Sequence, residues 1–242
     1  MRYIIFSDLH SNLEALESFI RCIGDIDHDK IVCLGDMVGY MADPNPCVDW
    51  IRENCDITLA GNHDYAVVKK TDTEYFNSYA FHACVWTRGE LTDKNKKFLV
   101  SLQVDKVEDG VHWTHASPFE PLEWHYVRTL RDGKLNFPSF ETQLCFLGHS
   151  HIPLVIEKNG DDEICSYIAP KFELEDDCRY LVNVGSLGQP RDGNPEPSFV
   201  VYDSGAKTIE FCRFSYDYGP TQEKILKNNL PSPLADRLSL GQ

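Results

Sequence analysis

Apolar positions along the first sixty residues follow two alternating rhythms. Arg2 to Phe6 is a short dense run, RYIIF, that predicts a buried strand. From Asn12 to Ile26 the spacing stretches to three and four residues, with Leu13, Leu16, Phe19, Ile20 and Ile23 on one helical face. A second apolar run, Ile31 to Leu34, closes at Gly35. Pro46 to Asn54 then predicts a helix with Val48 and Ile51 inward, and Ile57 to Ala60 predicts a third strand. A β-α-β-α-β series of this kind favours a parallel sheet with right-handed crossovers.

Glu74 to Ser101 carries two further helical patterns, interrupted near Gly89 and restarted by Thr92 as an N-cap. These helices are expected to cover one sheet face. After Gln103 the runs become short and strand-like: Gly110–His115, Leu144–Leu147, Leu154–Lys158, Tyr180–Val184, Ser198–Tyr202 and Thr208–Phe214. The second half therefore reads as mainly β and antiparallel, with hairpins at Asn159-Gly160 and Ser204-Gly205. Gly185 to Pro197 is a loop, and a helical tail from about residue 217 to 242 contains Ile225 and Leu226. No repeat and no long linker divides the chain, so residues 1–242 are expected to form a single domain around one two-layered sheet core.

Composition adds a constraint on partners. The chain is 42% hydrophobic and 25% charged, ordinary for a globular protein, but its formal net charge is -15. Such a surface repels nucleic-acid backbone and anionic lipid, whereas a local metal cluster could still attract a small phosphorylated molecule. The nine cysteines lack any CxxC pair and sit largely in apolar runs, which fits reduced, buried thiols. With no leader-like start and no apolar run of roughly 18 residues, a cytoplasmic location is expected and no membrane partner.

The chemistry-bearing residues gather where the strands end. Asp8, His10, Asp36, Asn62, His63, His115, His149 and His151 all lie at or just past the carboxyl end of a predicted strand, the edge where α/β sheets assemble their sites. Taken alone, Asp8 and His10 read as a turn with a capping role, and Gly35-Asp36 as a strand-ending turn. Five segments converging on one edge carry the other reading. Spacing by two in Asp8/His10 and His149/His151 is expected to turn both side chains to one side of an extended strand end. Imidazole nitrogen, hard carboxylate oxygen and a neutral Asn carbonyl together suit borderline divalent metals, and no cysteine joins them.

In order, the segments FSDLHSN, CLGDMVGY, LAGNHD, WTHASP and LGHSHIP resemble the signature blocks of the calcineurin-like metallophosphoesterase superfamily. The later NVGSLGQPRDG is similar to a block of its smaller bacterial and archaeal branch, which holds compact phosphodiesterases and relatives of diadenosine tetraphosphatases. The resemblance implies an α/β fold, α+β-like and four-layered, with a central β-sandwich of two mixed sheets flanked by helices. It implies two divalent metal ions, drawn from Mn, Fe, Zn, Ni or Co with Mn or Fe favoured. Asp8, His10, Asp36 and His151 would hold one, and Asp36, Asn62, His115 and His149 the other, with Asp36 bridging. It further implies hydrolysis of a phosphodiester, phosphomonoester or nucleotide pyrophosphate bond in a small substrate through a metal-bridging hydroxide, with Asp36 and His63 as catalytic residues. His63 would stabilise the transition state or protonate the leaving oxygen, and Asn62 would also face the substrate.

Protein Ser/Thr phosphatases of that superfamily carry Asp-Arg shortly after the bridging Asp, where this chain reads Met37-Val38-Gly39-Tyr40. His63 must then be oriented by something else, for which Asp64 or a backbone carbonyl is available. Arg191, in GQPRDG, is the candidate for gripping a phosphate oxygen, weighed against a solvated loop Arg. Trp124, His125 and Tyr126 could stack a base or aryl group, although core packing explains any one of them as well. His112 faces away from His115 by alternation and is expected to be structural or exposed, and Lys224 to Asn229 to be a solvated helix face. Two other functions fit the pattern: a non-catalytic scaffold on the same fold, and a nucleic-acid phosphodiesterase, which the missing basic stripe disfavours. The oligomeric state is left open.

Overall fold

A computed structural model describes all 242 residues, Met1–Gln242. The chain begins as the periodicity predicts, with β1 (Arg2–Phe6), α1 (Leu13–Ile23), β2 (Lys30–Cys33), α2 (Pro44–Asn54) and a two-residue β3 (Ile57–Thr58). Helix α2 starts two residues earlier than expected because Pro44 occupies its first turn, where a missing N–H costs nothing. Three helices follow: α3 (Asn62–Val67), α4 (Ser78–Glu90) and α5 (Asp93–Ser101), the last capped by the Thr92 hydroxyl. The second half supplies β4 (Asp105–Glu108), β5 (Val111–Thr114), α6 (Leu130–Asn136), β6 (Leu144–Leu147), β7 (Leu154–Lys158), β8 (Ile164–Tyr167), β9 (Lys171–Glu173) and β10 (Arg179–Asn183). It ends in β11 (Ser198–Asp203), β12 (Thr208–Arg213), α7 (Gly219–Lys227) and α8 (Ser232–Leu240). No helix is long and apolar enough to cross a membrane.

The strands form two six-stranded sheets, ordered β3-β2-β1-β11-β12-β9 and β4-β5-β6-β10-β7-β8. Both are mixed. β1, β2 and β3 run parallel, with Phe6 opposite Cys33, and β11, β12 and β9 complete that sheet through antiparallel pairings. The second half is mainly antiparallel, as expected, with β4, β7, β8, β9, β11 and β12 all in antiparallel pairs; the exception is the centre of the second sheet, where β5, β6 and β10 are parallel. The segment between β5 and β6 holds α6 and acts as a crossover, so these strands need no hairpin between them. The hairpins at Asn159-Gly160 and Ser204-Gly205 do join antiparallel neighbours, β7 with β8 and β11 with β12.

Alternation along β1 explains the layering. Tyr3 and Ile5 point between the sheets, where Tyr3 lies 5.6 Å from Trp113 and Trp113 stacks 5.4 Å from Phe146. Ile4 and Phe6 point to the other face, onto α1 and α2, with Phe6 5.0 Å from Phe19. Helix α6 and its flanks cover the outside of the second sheet through Phe137 and Phe140 against Cys145, Leu147 and Leu181. Helix, sheet, sheet and helix make four layers.

The helical tail consists of α7 and α8, separated at Pro231. Ile225 of α7 and Leu234 and Leu238 of α8 are buried against Tyr40, Met41 and α4. Of the expected solvated face, Leu226 to Asn229 are exposed, whereas Ile225 is buried and Lys224 is only partly exposed, its ammonium 2.6 Å from Glu14 and 2.8 Å from Asp43. Five of the nine cysteines are buried and all are free, whereas Cys165 is exposed, the one thiol at odds with the expected burial.

Candidate metal centre

The parallel register of β1 and β2 sets two loops side by side at their carboxyl ends. Backbone N–H groups of Asp8, His10 and Ser11 donate to the carbonyls of Gly35, Asp36 and Met37. The chain here is not extended. Asp8, His10, Asp36, His149 and His151 all have φ between 50° and 63°, in the left-handed region. The expectation that period-two alternation turns each pair to one side is therefore corrected: strained single residues aim the side chains instead. L-residues enter this region at a cost of about 1–3 kcal/mol each, and such residues concentrate at functional sites. Close approach also explains Gly61, where an added Cβ would collide with the Asp36 carboxylate.

The donors converge in three overlapping groups whose ligand atoms lie within 4.8 Å of one another: Asp8, His10 and His151; His10, Asp36 and His63; Asp36, His115 and His149. One Asp36 oxygen is 3.7 Å from His10 Nε2 and 3.5 Å from His115 Nε2, so it is shared. Nδ1 of His10 donates to the Val38 carbonyl, that of His151 to Gln189 and that of His115 to Leu34. Carbonyls only accept, so each Nδ1 carries a hydrogen, which leaves Nε2 as the nitrogen that a neutral ring offers to a cation. His10 Nε2 and His151 Nε2 nevertheless face each other at 3.1 Å. Burial, reinforced by neighbouring imidazoles at His10 and by Arg191 at His151, holds both rings below the usual imidazole range.

Two buried lone pairs at that distance repel unless a cation lies between them. Asp8 Oδ1, Asn62 Oδ1 and His115 Nε2 are likewise buried without a hydrogen-bond partner. Unsatisfied buried polar atoms are rare, and their clustering here fits divalent cations with a nitrogen and oxygen donor set. The charges agree: burial opposes ionisation of Asp8, but His151 beside it drives the carboxyl well below its ordinary range. Burial also opposes charge on His115, yet Asp36 and Asp8 together push it up to about 9, as a cation-seeking environment would.

His63 lies beside the donors on α3. Burial lowers its pKa to about 4, with Arg191 adding to the effect of the other imidazoles and Asp36 opposing it. Asp64 does not orient this ring, contrary to one expectation. The Asp64 carboxylate accepts from Gly61 N–H at 2.9 Å, Val38 N–H at 3.2 Å and Met37 N–H at 3.4 Å, which ties the Asp36 loop to the start of α3. Packing orients His63: Tyr40, Phe76 and His10 lie 4.5, 4.7 and 4.9 Å away ring to ring. Gly39 leaves room for it, since a Cβ there would come within 2.6 Å of His63 Nδ1.

Asp36, Asn62, His63, His149, His151 and Arg191 open onto one cleft of about 390 Å³. Arg191 forms no ion pair; Gln189 Oε1 at 2.9 Å and the Tyr40 hydroxyl at 3.2 Å accept its hydrogen bonds. It is a positioned cation and not a solvated loop residue. Trp124 and Tyr126 line the cleft, with Tyr126 stacked 4.3 Å from His149, while His125 pairs with Glu120 outside it. His112 is buried on the other side of its strand, against Phe140 and 3.6 Å from Asp105. Sequence reading gave no role to Tyr40, Phe76 or Gln189. Tyr40 lies inside the quoted CLGDMVGY block, so its place there was the available signal; Phe76 and Gln189 reach the site only through tertiary packing.

Known proteins match this chain closely. The family model for the calcineurin-like phosphoesterase superfamily domain matches residues 1–207. An uncharacterized protein of Methanocaldococcus jannaschii is 41% identical over 244 residues, which is 98% of this chain and 97% of that protein. The crystal structure of a metallophosphoesterase from Sphaerobacter thermophilus shares 34% identity and aligns with a TM-score of 0.88 over 100% of this chain and 99% of that one. A hypothetical protein from Pyrococcus horikoshii, 15% identical, has the same fold, with a TM-score of 0.81 over 100% and 98% of the two chains. The chain belongs to the calcineurin-like phosphoesterase superfamily. Its fold of two mixed sheets flanked by helices is that of its metallophosphoesterase relative.

Proposed function

We propose that this protein is a dinuclear metal-dependent phosphoesterase acting on a small phosphorylated substrate. The observation that carries the reading is the pair of imidazole Nε2 atoms facing each other at 3.1 Å beside a carboxylate shared between two donor groups. Asp8, His10, Asp36 and His151 would hold one cation, and Asp36, Asn62, His115 and His149 the other, with manganese or iron favoured. When bound, two divalent cations neutralise phosphate charge and lower the pKa of water so that a nucleophile exists near neutral pH.

The chain's own residues supply binding and proton handling. Arg191 offers a guanidinium with no carboxylate partner to a non-bridging phosphate oxygen, its angle fixed by Gln189 and Tyr40. Asn62 presents its amide at the cleft wall, where it can meet the substrate as well as a cation. His63, held neutral and placed by Tyr40 and Phe76, presents a ring N–H toward the leaving oxygen, a role worth roughly 10² to 10⁴-fold. The ordered imidazoles and carboxylates need no rearrangement, which is how such sites stabilise developing charge. Two substitutions test the assignment together. Asp36→Asn is expected to lose bound metal and turnover, whereas His63→Ala keeps the metal and loses turnover; normal hydrolysis by either variant contradicts the role given to it.

A further inference from the structure

The cleft wall beyond the donors has its own chemistry. Two segments build it: residues 71–77 before α4 and residues 122–126 after β5. The first brings Tyr75 and Phe76, the second Trp124 and Tyr126. Trp124 sits at φ 56°, a left-handed conformation costly for a bulky side chain, and its indole N–H donates to Thr71 Oγ1 at 3.3 Å, tying the segments together. Tyr126 is pinned between His149 at 4.3 Å and the Arg128 guanidinium 3.9 Å from its ring. Tyr75 is 96% exposed at the rim, an aromatic surface with nothing in the chain to cover it.

Charge limits what those rings can receive. Of the 17 residues lining the cleft, Arg191 is the sole Lys or Arg, and the outer wall carries Asp72 and Glu123. Asp72 uses one oxygen on the Thr73 and Glu74 N–H groups and leaves the other free. A cationic hollow does lie past the Thr71–Asp72 lip. Its Lys70 reaches the Val100 carbonyl and the Tyr65 ring and its Arg88 the Ala66 and Val67 carbonyls, while the exposed Lys69 lines this hollow and not the cleft. A single phosphate is thus provided for at the inner end, and a second, further out, would meet carboxylates.

We propose, resting on the phosphoesterase reading of the same site, that the substrate carries one phosphate on a leaving group that bears a planar aromatic ring with N–H donors at its edge. That is the chemistry of a nucleoside with an amino-bearing base. The ring stacks on Trp124 and Tyr75, its donors reach Asp72 or Glu123, and polyphosphorylated nucleotides are rejected.

Inhibition of a generic ester separates this proposal from the underlying one. Hydrolysis of 4-nitrophenyl phosphate and bis(4-nitrophenyl) phosphate by the manganese-loaded protein is followed with adenosine 5′-monophosphate, ribose 5-phosphate or adenosine 5′-diphosphate as competitor. The monophosphate nucleotide is expected to inhibit about tenfold or more tightly than ribose 5-phosphate, and more tightly than the diphosphate. Trp124→Leu, and independently Tyr75→Ser at a position too exposed to affect folding, shrink the first ratio, and Asp72→Asn shrinks the second. Equal inhibition by the nucleotide and the sugar phosphate, or tighter inhibition by the diphosphate, overturns this proposal while leaving the phosphoesterase reading intact. Hydrolysis of neither ester overturns both.

Discussion

Single residues in this site are held in conformations that their neighbours must enforce. Gly39 has φ 96° and lies against His63, so Gly39→Ala both strains the backbone and displaces the imidazole. We expect turnover to fall by roughly 10² to 10⁴-fold and stability by about 1–3 kcal/mol, with metal content unchanged; kinetics, denaturant unfolding and metal analysis read the three. Asp64→Ala leaves three buried N–H groups without their acceptor, and unfolding should show a loss of at least about 2 kcal/mol. At this scale the sequence disclosed the donors themselves, because Asp8, His10, Asp36 and the histidines stand at strand ends. It did not disclose how they are aimed. Left-handed φ values at five non-glycine residues follow from loop-to-loop hydrogen bonds, which periodicity cannot register.

Elements repeat that lesson. β1, β6 and β7 were legible to the residue because each is an apolar run with sharp ends, whereas β4, β8 and β9 passed unnoticed. Those three are all sheet edges, half solvated and rich in polar residues, so they lack the apolar signal that marks a central strand. The C-terminal helices matter more than their polar sequence suggests, since α7 braces the loop behind Tyr40 and α1 at once. Ile225→Ala should cost about 2–4 kcal/mol in equilibrium unfolding. Glu14, on α1, is the acidic partner of α7. Burial raises its carboxyl pKa, but Lys224 and Thr221 more than offset this and hold it below its ordinary value of 4.5. A depressed folded-state pKa means stability that is complete above 4.5 and fades as pH falls through the lower value. Glu14→Gln should therefore flatten that acid limb of the stability curve, measured by thermal unfolding between pH 6 and pH 3; an unchanged slope counts against the Glu14–Lys224 tie.

Across the whole molecule, a net charge of -15 and a buried donor cluster are two sides of one arrangement. Carboxylates near the cluster are costly to bury unless cations compensate them. Metal removal should then lower the unfolding temperature as well as turnover. At a free metal concentration about a hundred times Kd, each site adds about 2.7 kcal/mol, and for a chain of this length that is a shift of about 5–10 °C per site. Differential scanning before and after chelation measures it.

The proposed function requires that these converging donors hold two cations. Calorimetric titration of Mn²⁺ into chelator-stripped protein tests that most directly. Two equivalents bound per chain, with the second lost or weakened in Asp36→Asn, is the predicted result. Wild-type protein that binds no manganese with measurable affinity, or binds it identically when Asp36 is replaced, would contradict it.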